Sequence, residues 1–345
     1  MKSLRTIWEE RANRLAARLP LASWQPEVLA WARRERRRKS VWCVAFSGGA
    51  DSLALLLLLW AQWPARRAQL TALHYNHRLR GAAADRDEEF CRQVCRALRI
   101  AFHAGRRHPR RRLKGEEEAR ELRFEFFGRK MMSVRSRVLW LGQQQNDVAE
   151  TMLMRLARGS GLAGLAAPRP VQPMSSGRVH LRPLLALKHE ELVAALRALR
   201  IPWREDDSNE SAEFFRNRIR QTVVPAWQAA ARRDALAGAA LSRSLLAEDE
   251  AALEQWLAKL APIDRRGRLR MESVRGQPRA LLRRALHRWL LRQPAAGPLS
   301  RQGFEVLLHL LEIGAPTRFS LGTEGFAVIR DGCLAFERNR RKTLR

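Results

Sequence analysis

Val41-Trp42-Cys43-Val44-Ala45-Phe46 runs directly into Ser47-Gly48-Gly49-Ala50-Asp51-Ser52, and an apolar run from Leu53 to Ala61 follows. The first six residues, all apolar, read as a short buried strand. The run after Ser52 is long enough for a buried helix. The order is therefore strand, glycine turn, helix start. Two adjacent glycines permit positive φ and let a ligand approach with no Cβ in its way. Amide N–H groups converging on a helix N-terminus make a site for a phosphate chain. Asp51 and Ser52 are suited to cap that helix and to order a magnesium ion that accompanies phosphates. Ser-Gly-Gly alone would equally describe a turn that binds nothing. No lysine completes a Walker A loop, and the G-x-G-x-x-G spacing of a dinucleotide site is missing.

At 345 residues there is room for two domains. Lys plus Arg number 65 against 35 for Asp plus Glu, a formal net charge of +30. Such an excess repels itself and points to a polyanionic partner, nucleic acid first and an anionic membrane surface second. No stretch reaches the length of a membrane span. Lys2 and Arg5 are followed by no apolar segment and cleavage site, so neither a signal peptide nor a membrane partner is expected. Four cysteines (Cys43, Cys91, Cys95, Cys333) fit a reducing cytoplasm, and Cys91 and Cys95, one helical turn apart, read as core thiols.

Residues 1–40 read as an N-terminal helical extension with Leu15, Leu19, Trp24, Val28, Leu29 and Trp31 inward. It ends in the basic cluster Arg33, Arg34 and Arg36 to Lys39, a solvated face or an RNA contact. Strands are expected at 41–46, 69–77, 100–103 and 138–142, with helices at 53–61, 84–98, 116–133 and 147–157 between and after them. That alternation describes an α/β fold with a doubly wound, mainly parallel sheet, over a domain of residues 41–230. Ligands bind such sheets at the carboxyl ends of the strands, where Ser47 to Ser52, His74 to Arg80 and Gln143 to Glu150 all fall. Beyond Gly161 the pattern is irregular, with a helix at 188–199 and the basic segment Arg216-Asn217-Arg218-Ile219-Arg220. Residues 231–345 read as a smaller, mostly helical domain that closes in a hairpin around Asp331-Gly332.

The string Ser47 to Ser52 is similar to the S-G-G-x-D-S signature of the PP-loop ATP pyrophosphatases. Further segments resemble the tRNA(Ile)-lysidine synthase branch of that superfamily, in the family's order. His74 to Arg80 resembles H-V-D-H-G-L-R, and Glu118-Ala119-Arg120 with Arg123-Phe124 resembles E-x-A-R-x-x-R-Y. Asp147 with Glu150-Thr151, Arg158 to Leu162, Arg182 to Leu185, Asp206 to Asn209 and Arg216 to Arg220 complete the set. The resemblance implies an adenine nucleotide alpha hydrolase-like fold that uses ATP and Mg²⁺. It implies adenylation of cytidine 34 in a tRNA(Ile) with a CAU anticodon, then displacement of AMP by free L-lysine, in the cytoplasm.

By the same resemblance, Ser47, Gly48, Gly49, Ala50, Asp51 and Ser52 hold ATP, and Asp51 and Asp147 are metal ligands. Asp51, His77, Asp147 and Glu150 are the catalytic set. Arg120, Arg123, Arg216, Asn217, Arg218 and Arg220 bind substrate RNA or the activated base. Residues 231–345 resemble the family's first tRNA-recognition domain, with no additional C-terminal domain and with a homodimer as one assembly open to it. The chain departs from the pattern at Asn76 and Arg78, where the family has aspartate and glycine. Gln143, Gln144 and Asn146 stand in place of two histidines and an aspartate. These amides leave two alternatives: a tRNA binder that modifies nothing, or a related enzyme with another amine substrate. A thiolating enzyme would need a cysteine pair that the sequence does not offer. The pairs His74/His77 and Asp206/Asp207 can also be read as structural, and Ser208 and Asn209 as turn residues.

Overall fold

The computed structural model describes residues 2–35, 40–108, 115–205, 214–293, 299–323 and 325–339. The basic residues 36–39, 110–112 and 114, and the acidic turn 206–209, lie outside the described residues. Two compact units are present, Met1–Ala247 and Glu248–Arg345.

The first unit is built on a six-stranded sheet of order β3-β2-β1-β4-β6-β5. Its strands are β1 (Trp42–Ala45), β2 (Leu70–Asn76), β3 (Ala101–Arg106), β4 (Val138–Trp140), β5 (Val171–Pro173) and β6 (Val179–Leu181). Strand β1 is central and pairs in parallel with β2 (Val44 opposite Ala72) and with β4 (Val44 opposite Trp140). Chain order runs outward one way from β1 to β2 and β3, and the other way to β4 and β6. The switch point therefore lies between β1 and β4, and the crevice outside their carboxyl ends is where such a sheet takes a ligand. β5 is antiparallel at the edge, where its Pro173 leaves no central ladder bond unmade. Neither β5 nor β6 was expected: Gln172, Pro173 and His180 interrupt their apolar residues, so neither shows the continuous apolar run that marks the equally short β4.

Helix α1 (Leu4–Arg18) and α2 (Pro26–Glu35) precede the sheet. Trp8, Ala12 and Leu15 of α1, at spacings of four and three, enter the same core as β1. The described part of the expected 1–40 extension, α1 and α2, thus supplies residues to the core of the first unit. Helix α3 (Ala50–Gln62) is apolar on every face from Leu53 to Ala61, and Leu53 to Leu59 are fully buried. It packs against two further helices, α1 and α8 (His189–Ala198). The opposite sheet face, with Cys43, Leu73 and Leu139, is covered by Phe126, Phe127 and Met131 of α5 (Glu116–Ser133). Helices α4 (Ala82–Ala97), α6 (Gln145–Ala157) and the short α7 (Leu162–Leu165) complete the alternating part. The basic segment expected near 216–220 forms α9 (Phe215–Arg218), which passes through a π-helical turn (Ile219–Val223) into α10 (Val224–Ala230).

The units divide inside α11 (Ala235–Leu260), whereas the sequence placed a domain boundary near Ala230. The second unit holds α12 (Arg279–Leu290), α13 (Arg301–Ile313) and an antiparallel sheet of order β7-β10-β9-β8. Strands β9 (Gly325–Arg330) and β10 (Cys333–Arg338) form the expected hairpin. Its turn residues Asp331 and Gly332 both have positive φ, 50° and 69°, as a tight hairpin turn requires. The short β7 (Leu269–Arg270) and β8 (Thr317–Ser320) flank it.

Gly142, just past β4, fixes how closely the switch point closes. A Cβ there would stand 2.9 Å from the Asp51 carbonyl oxygen and 3.1 Å from Ser52 Cα, both backbone atoms that cannot swing away. Gly142→Ala is therefore expected to cost about 1–3 kcal/mol of stability, as overpacking does, measured by urea unfolding; an unchanged midpoint would show that the two segments are free to part.

Candidate active site at the phosphate turn

The turn after β1 is open and braced from within. Gly48 has φ +94°, and a Cβ on it would meet Cys91 Sγ at 2.9 Å, so only glycine fits. Gly49 has an ordinary backbone (φ −67°, ψ 162°) and caps α3 with no side chain; its bareness leaves the face of the turn clear. Ser52 does not cap the helix as expected. Its hydroxyl accepts from the Ser47 N–H (3.2 Å), donates to the Gly49 carbonyl (3.1 Å) and lies 3.0 Å from Ser47 Oγ. The first-turn N–H groups of Ala50, Asp51 and Ser52 have no carbonyl within the helix to meet, and the helix dipole adds positive potential there. Asp51 is also no cap: its Oδ1 accepts from His189 Nδ1 at 2.8 Å, and that bond raises the imidazole pKa. The segment after α8 closes the far side, where the Arg204 N–H donates to the Gly48 carbonyl at 3.0 Å.

The loop after β4 starts α6 with a reciprocal cap. The Gln144 N–H donates to Asp147 Oδ2 at 2.9 Å, and Gln144 Oε1 accepts from the Asn146 N–H. Asp147 and Glu150 share one face of α6, as their spacing predicts. Both are buried and engaged: Arg216 reaches Asp147 Oδ1 at 2.5 Å and Glu150 Oε2 at 2.8 Å, and Arg220 Nε reaches Glu150 Oε1 at 2.6 Å. Burial works against the charge on Arg216, but the two carboxylates outweigh it and lift its pKa. Arg216, Asn217 and Arg220 thus face inward or sideways, and Arg218 is the exposed member of the segment, beside the Phe215 ring.

A second group of cations has less compensation. Arg120 stacks over Phe124 at 4.5 Å. Arg123 is pushed down to about 10 by burial and by its neighbours Arg120 and Arg216. Arg182, pushed down to about 10 by burial and then by Arg120, donates to Gln143 Oε1 and to the Arg169 carbonyl. His180 of β6 is held down to about 4 by burial and by Arg182, Arg120 and Arg178. Sequence reasoning missed His180 and Arg182 as site residues: His180 lies on β6, which no apolar run announced, and Arg182, quoted only as the start of a family-like segment, follows that strand directly. Of the two earlier histidines, His74 is buried and its Nδ1 meets the Phe46 carbonyl at 2.9 Å. His77 packs edge-on against Tyr75, 4.8 Å between ring centres.

Of the amides that depart from the family pattern, Asn76 and Asn146 are placed against carboxylates, whereas the Gln143 side chain accepts from Arg182 and that of Gln144 from the Asn146 N–H. Asn76 Nδ2 donates to Asp85 (3.0 Å) and to Glu88 (3.3 Å), while its Oδ1 accepts from the Arg78 N–H at 2.8 Å. That last bond supports Arg78 at φ 52°, the left-handed conformation for which the family uses glycine. Asn146 Nδ2 donates to Glu190 (3.2 Å), and its Oδ1 accepts from the His189 N–H (3.1 Å). An aspartate at either position could not donate and would face a like charge.

Among the described residues no group of three or more His, Cys, Asp or Glu could hold a metal by itself. Asp51, half-buried beside the turn, suits magnesium, which takes one or two carboxylates and completes its shell with phosphate oxygens and water. Asp147 has one oxygen committed to the Gln144 N–H and the other to Arg216.

A parallel sheet with a braced, open anion turn at its switch point defines a nucleotide-binding protein of the PP-loop class. The family model of the PP-loop domain matches residues 24–227. A tRNA(Ile)-lysidine synthase of Geobacter sulfurreducens is 37% identical over 76% of this chain and 56% of its own. Those of Pseudomonas aeruginosa and Aromatoleum aromaticum are 38% and 36% identical over 79% and 84% of this chain, and 62% and 67% of theirs. The solved U34-tRNA thiolase of Methanococcus maripaludis shares the fold, with a TM-score of 0.50, 16% identity and coverage of 70% of this chain and 79% of that one. The chain belongs to the tRNA(Ile)-lysidine synthase family of PP-loop proteins, and it spans about three fifths of the length of the curated relatives it matches first.

His180 gives a pH signature of the cationic pocket. In the folded chain it stays neutral down to about 4, whereas an unfolded histidine takes up a proton below about 6.5. Its contribution is therefore complete above about pH 6.5 and is lost as pH falls toward 4, amounting to about 3 kcal/mol. Wild-type stability should fall over that window relative to His180→Phe in urea unfolding; parallel curves would contradict it.

Proposed function

We propose that the chain joins free L-lysine to C2 of cytidine 34 in a tRNA(Ile) with a CAU anticodon, using ATP, to give lysidine. The observation that carries this reading is the braced phosphate turn at the switch point, in a chain whose relatives bear the lysidine synthase name. In the first step the cytidine O2 attacks the α-phosphorus of ATP, and the bond from that phosphorus to the pyrophosphate oxygen breaks. In the second, the deprotonated ε-amine of lysine attacks C2, the C2–O bond to AMP breaks, and the amine gives up a further proton.

The N–H groups of Ala50, Asp51 and Ser52 receive the leaving pyrophosphate, whose charge develops against fixed donors. Asp51 with the phosphate oxygens would hold magnesium, whose chemistry there is to neutralise that charge. Arg120 repels both Arg123 and Arg182, and neither is matched as Arg216 is; an RNA phosphate or the adenylate relieves that repulsion. His77 directly follows β2 at its carboxyl end, where the target base would be received. Arg216 and Arg220 already occupy Asp147 and Glu150, so the lysine ammonium competes with guanidinium groups for those carboxylates. Arg218 and the general cationic excess meet the RNA backbone, which positions an RNA without reading it. An anticodon base leaves its stack at low cost. Residues 231–345 serve tRNA recognition. The site of action is the cytoplasm, in keeping with four free cysteines and with no helix, among the described residues, long and apolar enough to cross a membrane.

Asp51→Ala should lower pyrophosphate release from ATP by about 100-fold or more while tRNA retention on a filter stays within about twofold. Equal loss of both would make Asp51 a structural residue. Mass analysis of tRNA(Ile), from cells with this as their sole enzyme of the kind, should show a lysine adduct on the wobble cytidine. An unmodified base would refute the reading, and a different added mass would reassign the amine.

A further inference from the structure

The acid of the phosphate turn does not stand alone. We propose that His189 is the positioning residue for Asp51: its Nδ1–H, donated to Oδ1 at 2.8 Å, fixes the carboxylate in the orientation that ATP cleavage needs. This rests on the proposed ATP chemistry. The two residues are 138 positions apart, and the contact joins the first turn of α3 to the first residue of α8.

His189 is itself held from several sides. Its backbone N–H donates to Asn146 Oδ1 at 3.1 Å, and the Asn146 amide donates onward to Glu190 at 3.2 Å. The Gln145 N–H donates to the Leu187 carbonyl at 2.8 Å, and the Lys188 N–H to Glu191 at 2.7 Å, closing the start of α8. The loop after β4 and the start of α8 are thus zipped together, and the imidazole projects from that seam to the phosphate turn. Among the described residues it is the side chain that bonds the Asp51 carboxylate. Asp51 and His189 keep 26% and 45% of their side-chain surface exposed, so the pair borders the space an incoming phosphate would use rather than the core.

A carboxylate on a helix's first turn has freedom about two side-chain bonds. A charge-assisted hydrogen bond from a rigidly mounted ring removes much of that freedom. Outer partners of this kind alter activity by about 10–100-fold when removed. Asn146 acquires a task here as well: by seating the His189 backbone it acts on Asp51 at one remove, which is a use for an amide that can accept and donate at once. Nothing in the sequence marked His189, because a histidine opening a helix with Glu190 and Glu191 behind it reads as an ordinary capped start.

The test uses the full chain with tRNA, lysine and ATP. His189→Ala should lower kcat for pyrophosphate release by about 10–100-fold while KM for tRNA and lysine holds steady and the unfolding midpoint does not move. His189→Asn, whose amide N–H can stand where Nδ1–H stood, should recover most of that loss. Turnover by His189→Ala equal to wild type would overturn the inference, and so would an asparagine variant no better than alanine. A readout independent of activity is the Nδ1–H resonance of His189, which Asp51→Ala should shift. A resonance that stays put refutes the contact even in a chain that cleaves no ATP, whereas a shifted resonance with no cleavage in wild type leaves the contact standing and sinks the ATP reading.

Discussion

A single serine hydroxyl holds the phosphate turn open. Ser52 Oγ ties the Ser47 amide to the Gly49 carbonyl, so the chain leaving β1 must arch before α3 begins. Everything else at the switch point accommodates that arch. Gly48 takes positive φ with Cys91 pressed against it, and Gly142 runs along the Asp51 backbone with no room for a methyl group. Behind the turn, α3 is apolar and buried on every side from Leu53 to Trp60, which anchors the helix whose first turn faces the site.

The site's electrostatics divide into two parts. On one side Asp147 and Glu150 match Arg216 and Arg220, and the arginine charge is reinforced. On the other, Arg182 and His180 are buried and Arg123 half-buried among like charges, and each is pushed toward its neutral form. A chain of net charge +30 has such repulsion to spare across its surface, but burial makes it costly here. A polyanion would relieve the second group without disturbing the first. The same principle accounts for the amides: Asn76 beside Asp85 and Glu88, and Asn146 beside Glu190, bridge to carboxylates that an aspartate would repel.

The strand, turn and buried helix from Val41 to Ala61 were legible because their apolar runs are continuous and the glycines punctuate them. The alternation through Ala157 was legible for the same reason, with helix ends within a few residues of their observed positions. Strands β5 and β6 were not, since Gln172, Pro173 and His180 break their apolar runs, whereas the equally short β4 is wholly apolar. Asp147 and Glu150 could be placed on one helix face, but their partners Arg216 and Arg220 lie about 70 positions away, beyond any local pattern. The capping expected of Asp51 and Ser52 failed for a related reason: both side chains found better partners outside the helix. His189 was invisible because its meaning depends on an acid 138 residues distant.

The central claim is that the turn between β1 and α3 grips the polyphosphate of ATP. Its most direct test is calorimetric titration of ATP, with magnesium and tRNA supplied, onto wild type and Gly48→Ala in parallel. Saturable uptake at one site in wild type, lost or greatly weakened in Gly48→Ala while helical content is kept, is the result this account requires. No saturable uptake by wild type, or equal affinity in the two proteins, would contradict it.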